Sequence, residues 1–284
     1  MSIKCYDFIE QDPNNRFSIA SVNKINRLTY LSEFQNLNLN EYQADVNLLV
    51  LYANLDYVRS MSENEHLKKN LLKLNLVNNT EYFQLPFIFR TVYNRLFKLK
   101  PHLQKYFDDF RAIAKPNLNA KLFCVQIRIG GARPNVDEDI VFLQHEKTKL
   151  FWNFIKNTFI RDESNYKIFI TSDTESVVNE GLQEFGYDKV VYINGMYTHI
   201  DKGPASKNCH QHFKTILDLH AFQLCDKVLV GRGEYGLMGN YLRNYPFDDF
   251  YRYSEIVSNN SIREHQFVQV KDLKDWKNSI NSLF

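Results

Sequence analysis

Arg128 follows an otherwise apolar run, Leu122-Phe123-Cys124-Val125-Gln126-Ile127, and precedes Ile129-Gly130-Gly131. An arginine there is costly unless it meets an anion, either a bound one or a protein carboxylate. The guanidinium fork suits phosphate oxygens, and a double glycine lets a ligand approach the backbone. A second place is Thr171-Ser172-Asp173-Thr174. Asp173 reads either as a helix cap or as a carboxylate that accepts two hydrogen bonds from a nucleobase edge. A third is Gly231-Arg232-Gly233-Glu234-Tyr235-Gly236, a literal G-x-G-x-x-G between an apolar run and a helical pattern. Its usual chemistry is dinucleotide binding. Only 48 residues follow Gly236, too few for the strands that should follow such a fingerprint. The backbone physics survives the relocation, because glycines at a helix N-terminus expose N–H groups to phosphate. The loop is therefore read as phosphate-holding, with a tight packing turn as the alternative.

These three places need elements to hold them. The spacing predicts strands over 122–129, 167–171, 190–193 and 228–230, alternating with helices over 150–159, 174–185 and 208–225, and a short helix to about Arg243. Strands alternating with helices imply a parallel sheet covered on both faces. In such a sheet ligands bind beyond the carboxyl ends of the strands, where Arg128, Asp173 and Gly231 fall. Upstream, the apolar stripes Phe89-Val92-Tyr93-Leu96 and Leu103-Tyr106-Phe107-Phe110 predict two helices, the second opened by Pro101. The break at Lys115-Pro116-Asn117-Leu118-Asn119 is the best boundary, giving lobes 1–118 and 119–284.

Composition excludes other classes. With 284 residues, 44% hydrophobic and 24% charged, the chain reads as an ordinary globular protein. A formal charge of +2 excludes a bulk polybasic surface, so no nucleic-acid partner is expected. No apolar stretch is long enough to span a bilayer, and no apolar signal core opens the chain. The expectation is a soluble, cytoplasmic chain without stable membrane insertion. The secretory-pathway lumen is the alternative if a signal or anchor has been trimmed. Four cysteines without a C-x-x-C pair argue against zinc, and Cys124 and Cys225 read as buried free thiols. His212 and His220 read as capping or solvent-facing rather than metal-binding. No metal site is expected, the run Asp137-Glu138-Asp139 reading as a solvated loop.

The serial order of these pieces resembles the GDP-fucose-dependent fucosyltransferases of the α1,6 and protein O-fucosyl type. The resemblance runs from about Leu96 to Arg243. Val125-Gln126-Ile127-Arg128-Ile129-Gly130-Gly131 looks like the family's H-x-R-R-G-D strand and turn, with Gln126 in the place of its histidine. Ile168-Phe169-Ile170-Thr171-Ser172-Asp173 looks like the next strand. The run from Leu217 to Gly231 looks like the D-L-x-x-L-x-x-C-D-x-x-V-G block. The resemblance implies a GT-B-like fold of two Rossmann-like lobes, the N-terminal one short and helix-rich. It implies inverting transfer of fucose from GDP-fucose to a glycan or protein hydroxyl, with no cofactor or obligatory metal. Arg128 would be catalytic, steadying the β-phosphate. Gln126, Gly130, Gly131, Asp173 and the loop residues Gly231, Arg232, Gly233, Glu234, Tyr235 and Gly236 would contact the donor. The sequence names no general base; Glu138 and Asp139, in the loop after the arginine strand, are offered for it without a motif. A non-catalytic relative that binds sugar nucleotide or glycan is the second reading. An NAD-binding oxidoreductase, from G-x-G-x-x-G alone, is the third.

Overall fold

The structure is a computed structural model that describes residues 6–7, 64–73, 85–131, 140–197, 212–257, 263–272 and 275. The chain divides into two compact units, one of residues 8–98 and one of residues 1–7 with 99–284. In the first, helices α1 (Glu65–Lys73) and α2 (Leu85–Leu96) are described. Phe89, Tyr93 and Phe97 stack at four-residue spacing, with ring centroids 5.9 and 5.2 Å apart. That spacing places them on one helical face.

Two short strands are β1 (Tyr6–Asp7), in the second unit, and β2 (Lys98–Leu99), which begins at the last residue of the first. Helix α3 (Pro101–Ala114) follows, with Pro101 at its first turn, where a missing N–H costs nothing. Then come β3 (Lys121–Ile127), α4 (Thr148–Phe154), β4 (Tyr166–Ser172), α5 (Glu175–Phe185), β5 (Val190–Val191), α6 (Phe213–Ala221), β6 (Lys227–Val230), α7 (Glu234–Tyr241), β7 (Phe250–Val257) and β8 (Arg263–Gln269). The sheet order is β5-β4-β3-β6-β7-β8, parallel except for β8. The predicted mixed α/β architecture is therefore what forms. Its elements stand where the periodicity puts them, with shorter ends at β5 and α6. α4 runs on into a π-helical turn over Ile155–Phe159.

Alternation along β3 sorts the two faces. Phe123, Val125 and Ile127 join Phe151, Trp152 and Ile155 of the α4 segment and Val177, Val178 and Leu182 of α5 in one core. Leu122, Cys124 and Gln126 face the other way. There α3 packs on α6 and β4, with the rings of Phe110 and Phe169 5.3 Å apart. So α3, predicted upstream of the boundary, lies in the same compact unit as the sheet.

Two expectations need correction. Cys124 and Cys225 are buried but not free: they form a disulfide across a Cα separation of 5.8 Å. The chain enters β6 directly beside β3, so two thiols 101 residues apart in sequence meet on one face. Composition cannot show such a meeting. The residues after Gly236 are also not too few for further strands, since β7 and β8 extend the sheet. β7 escapes a hydropathy reading because Arg252 and Glu255, both buried, interrupt its apolar pattern.

Candidate functional site

β4 and β5 lie on one side of β3, whereas β6 and β7 lie on the other. The order of connection reverses between β3 and β6, so their following loops diverge and leave a crevice. This is where open α/β sheets bind ligands. Arg128 follows β3 and the glycine loop follows β6, so both border the crevice.

The half-buried Arg128 guanidinium lies 4.0 Å from the centroid of the Phe142 ring. Such stacking fixes the plane of the fork through the ring's negative face. A Cβ on Gly233 would stand 3.2 Å from Arg128 Nη1, so Gly233 leaves room for the arginine. Gly233 has φ +101° and occupies the N-cap position of α7, with no side-chain cap bond. That backbone angle favours glycine. The first-turn N–H groups of a helix lack intrahelical acceptors. The structure thus brings Arg128 and Gly233 together over more than 100 residues of chain.

Other predicted residues are occupied with holding this arrangement. Asp173 is not the helix cap, as Thr174 takes that position. Its Oδ1 accepts the N–H of Ile129 and its Oδ2 that of Gly130, each at 2.9 Å. The carboxylate pins the turn that carries Arg128. Gly130, at φ +74°, does not open the backbone to a ligand. A Cβ there would fall 2.3 Å from the Ile140 carbonyl oxygen, which already fills the space. Gly131 donates its N–H to Ile140 at 2.8 Å. Phe142 in turn donates to the Ile129 carbonyl at 2.8 Å, which explains how it comes to lie under Arg128.

The glycine loop shows the same division. Gly231 donates to the Gln126 carbonyl at 2.7 Å. Gly236 makes room for the buried Gln126 side chain, whose Oε1 has no hydrogen-bond partner among the described residues. Tyr235 donates its hydroxyl to the Thr215 carbonyl at 2.5 Å and ties α7 to α6. Glu234 is exposed at the start of α7. Arg232 pairs with Glu255 at 2.9 Å. Burial alone would raise the Glu255 carboxyl. The Tyr253 hydroxyl at 2.8 Å, Arg232, Lys147 and His265 outweigh it and hold the carboxyl below its usual range. Arg232 is thus matched to a protein carboxylate.

Below the crevice, Asp218 is buried and accepts from Lys214 at 2.6 Å and Thr171 at 2.7 Å. Burial pushes its carboxyl up, against the pull of Lys214. Its Oδ1 has no hydrogen-bond partner among the described residues. His220 is buried rather than solvent-facing, and burial lowers its pKa to about 4. Phe142, Lys214 and Glu255 were not singled out from sequence. No local pattern in the sequence marked any of them. Glu138, Asp139 and the run from Asp137 lie outside the described residues. No group of three metal-ligating side chains occurs among the described residues.

The fold is a mixed, mostly parallel α/β one that resembles the GT-B-like fold of a solved fucosyltransferase. Among solved structures, an arginine-to-lysine mutant of Arabidopsis thaliana FUT1 in complex with GDP is similar over 84% of this chain and 50% of that one, at 12% identity and TM-score 0.51. NodZ α1,6-fucosyltransferase co-crystallised with GDP aligns over 63% of this chain and 51% of that one, at 11% identity and TM-score 0.40. A Bradyrhizobium NodZ fucosyltransferase aligns over 78% and 67%, at 10% identity and TM-score 0.39. The chain spans about half the length of the first two. No family model and no curated protein matches the sequence.

Proposed function

We propose that the chain is an inverting glycosyltransferase that moves fucose from GDP-fucose to a glycan or protein hydroxyl. The observation that carries the reading is the placement of the Arg128 guanidinium against Gly233, at an N-terminus of α7 that no side chain caps, beside the β3/β6 crevice. A departing nucleoside diphosphate gains negative charge on its outer phosphate. A planar fork and the backbone N–H groups of a helix start are suited to receive it. Because they are positioned before reaction, they stabilise the transition state more than the bound donor. Attack by the acceptor oxygen on the face opposite the leaving diphosphate inverts the anomeric centre. Asp173 supports the site by holding the turn at Ile129 and Gly130. Arginine and N–H groups take the place of a metal in this scheme, so transfer should survive chelation by EDTA.

The Cys124–Cys225 disulfide favours an oxidising compartment, since such bonds persist there and are rare in a reducing cytosol. Among the described residues no helix is long and apolar enough to cross a membrane.

The test is Arg128→Lys, which keeps the charge and loses the fork. Fucose transfer or donor hydrolysis should fall roughly 100-fold or more, with GDP affinity less affected. Calorimetric titration should show GDP and GDP-fucose binding and no NAD binding. Unaltered transfer in the lysine variant would overturn the assignment of Arg128. Donor binding without turnover in the wild-type chain would favour the non-catalytic relative.

A further inference from the structure

A second constellation sits at the start of α5, and no step of the proposed transfer uses it. The Ser176 Oγ lies 2.9 Å from His145 Nε2. The same imidazole places Nδ1 2.9 Å from Glu180 Oε1. The other Glu180 oxygen, Oε2, accepts the Thr148 hydroxyl at 2.6 Å, and Thr148 is itself buried. The carboxylate is therefore held at both oxygens. It favours the tautomer with the proton on Nδ1, which leaves Nε2 as an acceptor for the serine hydroxyl.

We propose that Ser176, His145 and Glu180 form a nucleophile–base–orienting triad that cleaves small acyl esters. Recognition of a triad rests on geometry and roles rather than on order in the chain. Two of the required links are measured, nucleophile to base and base to orienting carboxylate, and the proposal assigns the oxyanion donors to the start of α5. The donors are backbone groups. Ser176 follows β4 by four residues and lies in the first turn of α5, whose cap residue Thr174 makes no side-chain cap bond. The N–H groups of such a first turn have no intrahelical acceptor. Ser176 is the second residue of α5, at the carboxyl end of a parallel strand, without the glycine-flanked elbow of the α/β-hydrolase motif. Ser176 is exposed, so a small ester can reach it.

The step balances without a co-reactant other than water. Ser176 Oγ forms a bond to the ester carbonyl carbon and passes its proton to His145 Nε2. The carbonyl electron pair moves onto oxygen, facing the helix N–H groups. Collapse breaks the carbon–alkoxide bond, and the alcohol leaves with the proton from His145. Water, deprotonated by the same imidazole, then hydrolyses the acyl-serine. Thr174 Oγ1, 3.0 Å from Ser176 Oγ, can hold the hydroxyl in line.

The proposal is independent of the β3/β6 crevice. Its test uses the full chain with a fluorophosphonate probe and p-nitrophenyl acetate. Peptide mass spectrometry of the wild-type chain should show one adduct, on Ser176. Hydrolysis should fall about 100-fold in Ser176→Ala and in His145→Gln, the range expected on losing a general base and its nucleophile. Glu180→Gln should lower it less while labelling remains detectable. If Ser176 takes no probe in the wild-type chain, or Ser176→Ala hydrolyses the ester at the wild-type rate, the three side chains are only a tether between α4 and α5 and the proposal fails.

Discussion

The two ends of the sheet each hold a half-buried or buried arginine, and they treat it differently. At the amino end, Arg243 donates to the carbonyls of Cys225, Asp226 and Asp248 and to Asn240 Oδ1, at 2.8 to 3.1 Å. Burial lowers it to about 10, against Asp248, Asp226 and Asp249, so it stays charged at neutral pH. Nearby, Asp226 Oδ2 accepts Leu122 N–H at 2.7 Å and Lys115 at 2.8 Å. A polar cleft of about 460 Å³ opens beside these groups, yet its buried arginine is fully engaged by protein. At the carboxyl end, Arg128 lies on an aromatic ring beside glycine, and two buried oxygens, Gln126 Oε1 and Asp218 Oδ1, have no partner among the described residues. Buried polar atoms are nearly always satisfied, so these two oxygens call for a partner, a water molecule included, that the described residues do not supply.

The largest expected effect falls at the amino end. Arg243→Ala removes a buried cation that four acceptors surround. It should cost on the order of 3–5 kcal/mol of stability, read from urea denaturation. GDP affinity of the folded fraction should stay at the wild-type value. A large loss of affinity at unchanged stability would erase the contrast between the two ends.

His220 gives a pH dependence that sharpens it further. Its ring packs 5.8 Å from that of Phe107 behind the sheet, and burial holds it at about 4 against an ordinary 6.5. Between those values the unfolded chain binds a proton that the folded chain does not, so stability falls as pH falls. The full loss is about 3 kcal/mol and is complete near pH 4. In His220→Phe this component should vanish from the pH profile of melting temperature. A profile unchanged by the substitution would place the pH dependence elsewhere.

The smallest of these effects is at Asp173. Asp173→Asn replaces one acceptor oxygen with a donor that faces an N–H group. The cost should be about 1.5–3 kcal/mol, much of it local to the 128–131 turn. GDP, ADP and UDP affinities should weaken together, because the change acts through the position of Arg128. Selective loss of GDP alone would instead assign Asp173 to the guanine edge.

The unusual residues were legible in sequence, and their partners were not. Arg128 and the loop from Gly231 stand out because an unusual residue type interrupts a short apolar pattern. The hold of Asp173 on Ile129 and Gly130 spans 44 and 43 residues, and no periodicity reports a contact at that distance. The same is true of Phe142, whose role depends on the return of residues 140–143 across the turn. Gly130 was read as clearance for a ligand when the clearance is used by the chain itself. β7 was missed for a different reason: burial of Arg252 and Glu255 is made affordable by partners on other elements, so its sequence looks half-exposed.

The central position of β3 also bears on how the chain is made. Its neighbours β4 and β6 begin about 45 and 106 residues after it begins, and the cysteine that meets Cys124 is 101 residues downstream. During synthesis β3 emerges first and must wait with both edges unpaired, exposing a run of apolar residues. Long-range parallel pairing is slow because chain closure precedes its reward, and such waiting edges invite association between nascent chains. The early helix α3 can shield one face of β3 in that interval, since it is already synthesised and packs on the same sheet. The crevice can form only after residues 227–233 have left the ribosome, more than 100 residues after β3 has begun to emerge.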